Sequence, residues 1–260
     1  MISSLARLKS ALARPGSQAA PLRLFFRDDD VDEDEATLRR LLGLFLEWNT
    51  PINLGVIPGR LTAACAELLA HAAGAAPATL ELNQHGWLHL NHEREGRKCE
   101  FGPNRTYAEQ LADVAQGWER MTEAFGPDWF PVFIPPWNRC TEDTYRALDH
   151  LGFRALSAKH GGPVVTGYRF EDISITLDLY RWNDGARLKS PEEVVDSLLA
   201  QLLLQQTIGV ALHHKVMDER AFSFLASLLD TLASHPTVRF HTFQSLLMSS
   251  YDETKVAPRP

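Results

Sequence analysis

Short apolar segments alternate along the chain with longer segments in which apolar residues recur every three to four positions. The short segments are typical of buried strands, and the longer ones of amphipathic helices. The predicted strands are 22–27, 52–56, 78–82, 131–134, 153–157, 173–179, 208–212 and 237–240. The predicted helices are 35–48, 60–73, 106–125, 141–151, 191–206 and 218–234.

This alternation of strand and helix indicates a mainly parallel sheet with helices outside it. About seven or eight strands in 260 residues suit an α/β barrel or a distorted barrel, and an open doubly wound sheet is the alternative. We expect a single domain over residues 21–250. Residues 1–20 form an N-terminal extension, in which 3–13 fit a short amphipathic helix packed on the body, and 251–260 form a flexible tail.

Composition excludes several classes of protein. The net charge of −7 argues against a nucleic-acid partner, because neutralising phosphates requires dense Lys/Arg patches. No segment approaches the ~20 apolar residues that span a bilayer. The N-terminus has basic residues but no continuous apolar core, so we expect a cytoplasmic protein without a secretory signal. The three scattered cysteines indicate neither a disulfide framework nor a thiolate metal site.

Polar residues follow several predicted strands at the point where each strand ends. Carboxyl ends of parallel strands meet at one edge of a sheet, where α/β proteins place their chemistry. We therefore expect five loops to converge there: Asp28–Asp30, His85 with His89, Pro135–Asn138, Asp178–Trp182 and His213–His214.

The acids and histidines among these residues predict a divalent-metal site. Three aspartates directly against an apolar strand are costly without a cation or a catalytic reason. Two histidines four positions apart and a carboxylate are ligands that zinc and iron accept. The other interpretations are a solvated acidic loop and histidines satisfied within the core. His213 could be a general acid or simply a strand-end histidine bonded to a carboxylate.

In this order, the residues resemble the motifs of the polysaccharide deacetylase (NodB-homology) family. That pattern has an Asp-Asp pair after the first strand, H-[ST]-x-x-H after the third, then R-x-P-x, an Asp/Trp motif and Leu-x-His. The matching segments are Asp29-Asp30, His85-Gly86-Trp87-Leu88-His89, Phe133 to Asn138, Asp178 to Trp182, and Ala211 to His214. The resemblance covers about residues 22 to 241.

The resemblance implies a distorted (β/α) barrel of about seven strands and a zinc-dependent deacetylase, with another divalent metal as an alternative. Asp29 would be the general base, His213 the general acid, and Asp178 would orient His213. The implied metal ligands are Asp30, His85 and His89. A carbohydrate or small acylated substrate would contact residues of the mouth, for which we name Trp87, Pro136, Trp137, Asn138, Trp182, Arg105 and His214. An oligomer is possible.

Some positions depart from the family pattern. The third aspartate leaves the register of the Asp pair open between Asp28-Asp29 and Asp29-Asp30. His213 and His214 could likewise exchange roles. Gly86 stands where the pattern has Ser or Thr.

The arginine of the third motif, expected to orient the base aspartate, is Ile134 here. Arg27, Arg105 or Arg139 would have to replace it, and Arg105 is the hypothesis that we favour.

Two other functions are consistent with these residues. The first is a carbohydrate-binding protein that keeps the pocket without turnover, which the missing arginine motivates. The second is a non-haem Fe(II) enzyme, because two histidines and a carboxylate also form that triad. Enzymes of this kind usually have antiparallel β folds, whereas this chain alternates strand and helix.

Overall fold

The protein is an α/β structure in which helices surround one curled sheet. A computed structural model describes residues 2–13, 21–162, 166–204 and 207–256. Its strands are β1 Leu22–Val31, β2 Ile52–Val56, β3 Leu80–His85, β4 Trp129–Ile134, β5 Ala155–Leu156, β6 Glu171–Asp172, β7 Leu177–Asp178, β8 Tyr180–Arg181, β9 Arg187–Leu188, β10 Thr207–Leu212 and β11 Val238–Phe240. Its α-helices are α1 Ile2–Leu12, α2 Ala36–Glu47, α3 Ala63–Ala75, α4 Tyr107–Phe125, α5 Glu142–Leu151, α6 Pro191–Leu202, α7 Glu219–Ala233 and α8 Phe243–Val256.

The main sheet has the strand order β6-β5-β4-β3-β2-β1-β10-β7, and β11 pairs with β1 beside this path. Every pairing in it is parallel. Within the described residues, β6 and β7 lie at the two ends and are not paired with each other, so the barrel is incomplete. The predicted distorted barrel is therefore confirmed, and the doubly wound alternative is wrong. Strands β8 and β9 form a separate antiparallel hairpin.

Most of the predicted elements are present with small shifts in their bounds. The predicted strand 173–179 is wrong over most of its length, because only β7 Leu177–Asp178 lies within it, and β6 ends at Asp172. Helix α8 was not predicted, and it extends to Val256. The flexible tail expected over 251–260 stays a prediction. Residues 257–260 lie outside the described residues.

Two apolar clusters of buried side chains lie on opposite faces of the main sheet. The larger cluster lies between the sheet and the helices and includes Leu24 and Phe26 of β1. The smaller cluster includes Phe25 of β1 and is joined by Phe243 of α8. Because side chains of a strand alternate between faces, the amino-acid sequence of β1 supplies both clusters.

Helix α1 is part of the same body. Its residues Leu5, Leu8 and Leu12 are buried in the larger cluster, and the helix packs on α6 and α7. The predicted amphipathic helix near the N-terminus is confirmed. No helix in the described part of the chain is long and apolar enough to cross a bilayer.

Candidate metal centre and catalytic site

The three consecutive aspartates at the end of β1 point in three different directions. Arg27 and Asp29 share one face of the strand by the alternation of side chains, and Asp28 takes the other face. The register between β1 and β2 then shifts between Asp28 and Val31, and Asp30 has a φ of 71°. This irregularity is a β-bulge, which commonly redirects a side chain next to an active site. It gives Asp30 a direction that simple alternation would not.

Asp30 lies between the two histidines that follow β3. Its Oδ1 is 3.3 Å from His85 Nε2 and 3.1 Å from His89 Nε2. One possible ligand atom from each of the three residues lies within 4.8 Å of the others. In the described part of the chain, this is the group of three that could hold a metal ion.

The donor atoms of this group fit a divalent cation. His85 Nδ1 is 3.0 Å from the carbonyl oxygen of Ile134, which favours a proton on Nδ1. Nε2 of His85 then presents a lone pair toward the Asp30 carboxylate. The nitrogen and the carboxylate oxygen both lack a proton in this state, so they attract each other only when a proton or a cation lies between them. A carboxylate oxygen and two imidazole nitrogens are a ligand set that zinc accepts.

The pKa values of the two histidines are shifted in opposite directions. Burial and the neighbouring His85 lower the pKa of His89 to about 4, so His89 is neutral, as a metal ligand must be. Burial would also lower the pKa of His85, but the Asp30 carboxylate outweighs it and raises the pKa. The Asp30 carboxylate therefore favours a positive charge beside it, and a proton or a cation could supply that charge.

Asp29 is held by a buried arginine of its own strand. Arg27 Nε donates to Asp29 Oδ1 at 2.8 Å, and Arg27 Nη2 donates to Asp29 Oδ2 at 2.7 Å. Arg27 is fully buried and also donates to the Ser157 carbonyl at 2.7 Å and to Asn138 Oδ1 at 2.8 Å. A bidentate pair of this kind fixes the plane of the carboxylate. Each carboxylate oxygen keeps a further lone pair for another partner.

The hypothesis that Arg105 would orient the base aspartate is wrong. Arg105 forms an ion pair with Asp113 and donates to the carbonyl of Glu109 on α4. Arg27 holds Asp29 instead, so the arginine beside this aspartate comes from β1 and not from the third motif. Residues two apart on a strand share a face, so the period of the strand carried a signal for Arg27.

His213 follows β10 and lies between two carboxylates. Its Nε2 is 3.4 Å from Asp178 Oδ2, and its Nδ1 is 3.8 Å from Asp30 Oδ2. Burial alone would lower the pKa of His213, but Asp178 and Asp30 outweigh it and raise the pKa to about 10. The imidazole therefore carries a proton that it can donate.

Asp178 is held in turn by two donors. Its Oδ1 accepts the backbone N–H of Tyr180 at 2.8 Å, and its Oδ2 accepts Trp182 Nε1–H at 2.8 Å. Burial would raise the pKa of Asp178, but His213 and these donors lower it. Asp178 is thus a charged partner on the far side of His213 from Asp30.

His214 is bound to the remaining aspartate and is fully buried. Its backbone N–H donates to Asp28 Oδ1 at 2.8 Å, and its Nδ1 lies 2.6 Å from Asp28 Oδ2. Neither side chain of this pair is exposed. The prediction that His214 contacts substrate is therefore wrong for steric reasons. The extra aspartate and the extra histidine of the sequence are partners of each other, which leaves Asp29, Asp30 and His213 to face the site.

Aromatic rings flank the two ends of the site. The Trp137 ring lies 4.3 Å from that of His89, and the Trp182 ring lies 4.6 Å from that of His213, between ring centroids. Trp182 is 47% exposed, and Trp137 and Trp87 are half-buried. Pro136 is buried behind Gly86, so of the mouth residues that we named it has little surface for a ligand.

The comparisons with known proteins concern the fold. No protein-family model matches the chain, and no curated protein matches it. Solved structures do match over nearly the whole chain. A protein from Mycobacterium smegmatis, provisionally assigned as a polysaccharide deacetylase, superposes with a TM-score of 0.67 at 18% identity, covering 93% of this chain and 96% of that one.

Two further solved structures are enzymes by name. A family 4 acetyl xylan esterase from Clostridium thermocellum, in complex with cobalt, has a TM-score of 0.60 at 14% identity, covering 88% of this chain and 92% of that one. A peptidoglycan deacetylase from Bacillus subtilis has a TM-score of 0.58 at 12% identity, covering 90% and 95%. At these identities the likeness is one of fold. The chain has the distorted (β/α) barrel of the polysaccharide deacetylases, as its motifs predicted.

Proposed function

We propose that this protein is a metal-dependent deacetylase that removes an acetyl group from an N-acetylated sugar or a related carbohydrate. The observation that carries the proposal is the arrangement around Asp30. His85 and His89 lie 3.3 Å and 3.1 Å from one of its carboxylate oxygens, and His213 Nδ1 lies 3.8 Å from the other. The names of the similar solved structures, among them deacetylases and an acetyl esterase, support the same class of reaction.

Asp30, His85 and His89 would hold the ion, for which zinc is our first choice. A divalent ion bound there would supply Lewis acidity toward the acyl carbonyl and would lower the pKa of water. The cobalt ion in the Clostridium thermocellum structure supports a divalent metal in this fold without specifying zinc.

The chain's own residues would carry the protons. Asp29, oriented by Arg27, would take a proton from the water that attacks the acetyl carbon. As the C–N bond breaks, His213 would donate its proton to the departing amine nitrogen, and Asp178 would keep the imidazole oriented. The water oxygen leaves in acetate, and the sugar keeps a free amine.

The two alternatives lose their main support. A binding protein without turnover was motivated by the missing arginine, and Arg27 stands against Asp29 in its place. A non-haem iron enzyme would share the triad, but the parallel barrel differs from the antiparallel folds that usually carry that chemistry.

Trp137 and Trp182 would present their faces to the sugar.

Elemental analysis of the purified protein, combined with an acetate-release screen over N-acetyl sugars, tests the proposal. We expect about one divalent ion per chain in the wild type and its loss in Asp30→Ala and His89→Ala. Asp29→Asn should keep the ion and lose turnover. A wild type that stays metal-free after reconstitution would contradict the metal centre, and a metal-loaded protein that binds sugar without releasing acetate would favour the binding function.

A further inference from the structure

The turn that carries His89 is held in an unusual backbone conformation. Gly86 has a φ of 61° and His89 a φ of 54°. A left-handed conformation is uncommon for a residue with a side chain and persists only where the surroundings impose it. Something close to this turn must therefore hold it in place.

The buried carboxylate of Glu100 is bonded to three backbone amides of this turn. Its Oε1 accepts the N–H of Leu88 at 2.7 Å and that of Leu90 at 3.5 Å, and its Oε2 accepts the N–H of Trp87 at 3.3 Å. Glu100 itself is fully buried. Burial raises the pKa of Glu100, and the three amide donors act against that rise. Because the carboxyl group accepts from amides on both sides of the Leu88 side chain, it holds the backbone of the turn.

The segment around Glu100 is anchored to the barrel. Phe101 forms a β-bridge with Cys140, after β4, and Cys99 donates its S–H to the carbonyl of Arg139 at 3.3 Å. Cys99 also accepts, through its carbonyl, the N–H of His92 at 3.0 Å. The carboxylate therefore acts from a fixed base, although residues 94–98 of the same loop are exposed.

Gly86 leaves the space that Glu100 fills. A Cβ at this position would lie 2.2 Å from Glu100 Oε2 and 2.5 Å from Pro136 Cγ. Side-chain atoms do not approach so closely, and the positive φ disfavours a side chain as well. The glycine that departs from the family pattern and the buried glutamate are thus parts of one arrangement.

We propose that Glu100 is a positioning residue whose carboxylate clamps the turn 86–90 and so directs His89 Nε2 toward Asp30. The importance of this direction for metal binding rests on the proposed function, whereas the clamp itself does not. Residues that orient metal ligands typically contribute 10–100-fold to metal affinity. Glu100 takes this part through backbone amides, without contacting the ligands' side chains.

Hydrogen exchange in the metal-free protein tests the clamp. We expect the amides of Trp87 and Leu88 to exchange about tenfold faster or more in Glu100→Ala, because a hydrogen bond to a charged group contributes about 1.5–3 kcal/mol. Glu100→Gln keeps the volume and one acceptor oxygen and should give an intermediate rate, which guards against a variant that fails to fold. Glu95→Ala, an exposed acid of the same loop, is the matched control and should exchange like the wild type.

Zinc affinity, measured by competition with a chelator, tests the positioning. We expect Glu100→Ala to bind zinc about 10–100-fold more weakly than the wild type, with Glu100→Gln in between. A role in stability alone would lower the unfolding temperature and leave the zinc affinity unchanged, which would overturn the positioning. Unchanged exchange at Trp87 and Leu88 in both variants would overturn the clamp.

The two proposals fail in different ways. A wild type that binds no metal would contradict the proposed function and the positioning of a ligand, while the exchange data would still decide the clamp. If Glu100→Ala binds zinc as tightly as the wild type does, the metal centre stands and the positioning role of Glu100 is contradicted.

Discussion

The buried pair of Arg27 and Asp29 combines a large energetic demand with a defined geometry. Two charges removed from water are stabilised only when their hydrogen bonds are satisfied, and loss of one partner leaves the other charge uncompensated. Arg27 meets this demand with five acceptor atoms, on Asp29, Ser157 and Asn138. Lysine carries the same charge as a point and cannot form the planar fork.

We expect Arg27→Lys to lower kcat by on the order of 100-fold, because a small misplacement of a catalytic group has an effect of this size. The metal content should stay near one ion per chain, since Arg27 contacts none of the candidate ligands. Acetate release and elemental analysis measure the two quantities. Arg105→Ala is the control and should leave kcat near that of the wild type; an equal loss in Arg105→Ala would contradict the assignment of Arg27.

We expect substitutions of the adjacent residues His213 and His214 to have different effects on kcat and on the free energy of unfolding. His213→Ala removes the candidate proton donor, and we expect kcat to fall by about 100- to 10,000-fold. Asp178 keeps its donors on Tyr180 and Trp182, so we expect a smaller loss of stability than in His214→Ala. His214→Ala leaves Asp28 buried without its partner, and we expect a destabilisation of about 3–5 kcal/mol. Urea unfolding and acetate release distinguish the two. A stable His214→Ala variant without turnover would exchange the roles of the two residues.

At the scale of single residues, the sequence predicted the grouping of Asp30, His85 and His89 better than it predicted the residues that surround this group. Asp30, His85 and His89 could be picked out because carboxylates and imidazoles at strand ends carry a recognisable chemistry. Arg27 and Arg105 are both candidates by residue type, and the structure places Arg27 against Asp29. Which arginine reaches a carboxylate depends on register and on the bulge in β1, and neither is readable from residue types.

Among the elements, helix α8 is connected to the barrel through a buried acid. Glu81 of β3 accepts the N–H of Gln244, in the first turn of α8, at 2.9 Å and Asn83 Nδ2–H at 3.0 Å. Burial raises the pKa of Glu81 to about 7, although these donors act against the rise. The negative charge would suit a helix N-terminus, but desolvation outweighs it.

This shift predicts a pH dependence of stability. The pKa of Glu81 is about 7 in the folded protein against an ordinary value of 4.5, so the folded state keeps the proton over a range in which the unfolded chain loses it. The group's stabilisation is full below pH 4.5 and is lost as the pH rises toward and through 7, by on the order of 3 kcal/mol.

Urea unfolding between pH 5 and 8 measures this dependence in the wild type and in Glu81→Gln, which cannot titrate. We expect the stability of the wild type relative to the variant to fall as the pH rises. Glu47→Gln, an exposed acid on α2, should show no such trend. A constant difference between wild type and Glu81→Gln would show that Glu81 is ionised throughout.

Helices with a strong amphipathic pattern could be predicted from the sequence, and short strands that depend on their neighbours in the sheet could not. Helices α4 and α7 carry long amphipathic patterns, and their predicted bounds lie within a residue of those observed. Strands β5, β6 and β7 have two residues each, and their pairing depends on neighbours in the sheet. Helix α8 buries Phe243, Leu246 and Leu247, which have a helical spacing, but the polar residues that follow them weaken the amphipathic pattern.

In the molecule as a whole, the candidate site lies at one end of the barrel, and an apolar cluster fills its interior. The end at which β1, β3 and β10 finish collects Asp30, the two histidines and His213. Helix α8 packs its apolar residues into the interior cluster, together with Phe25 of β1. A metal ion bound at this end should therefore stabilise the entire domain by mass action. The native barrel holds Asp30, His85 and His89 together, and the unfolded chain does not.

We expect zinc at about 100 times its Kd to stabilise the wild type by about 2.7 kcal/mol, which raises Tm by roughly 5–10 °C for a domain of this size. Differential scanning fluorimetry over a zinc titration measures the shift. His89→Ala should lose it, because one of three candidate ligands is gone. Asp178→Asn is the control that should keep it, since Asp178 contacts His213 and lies outside the triad. An equal shift in His89→Ala would mean that zinc stabilises the fold from a site other than Asp30, His85 and His89.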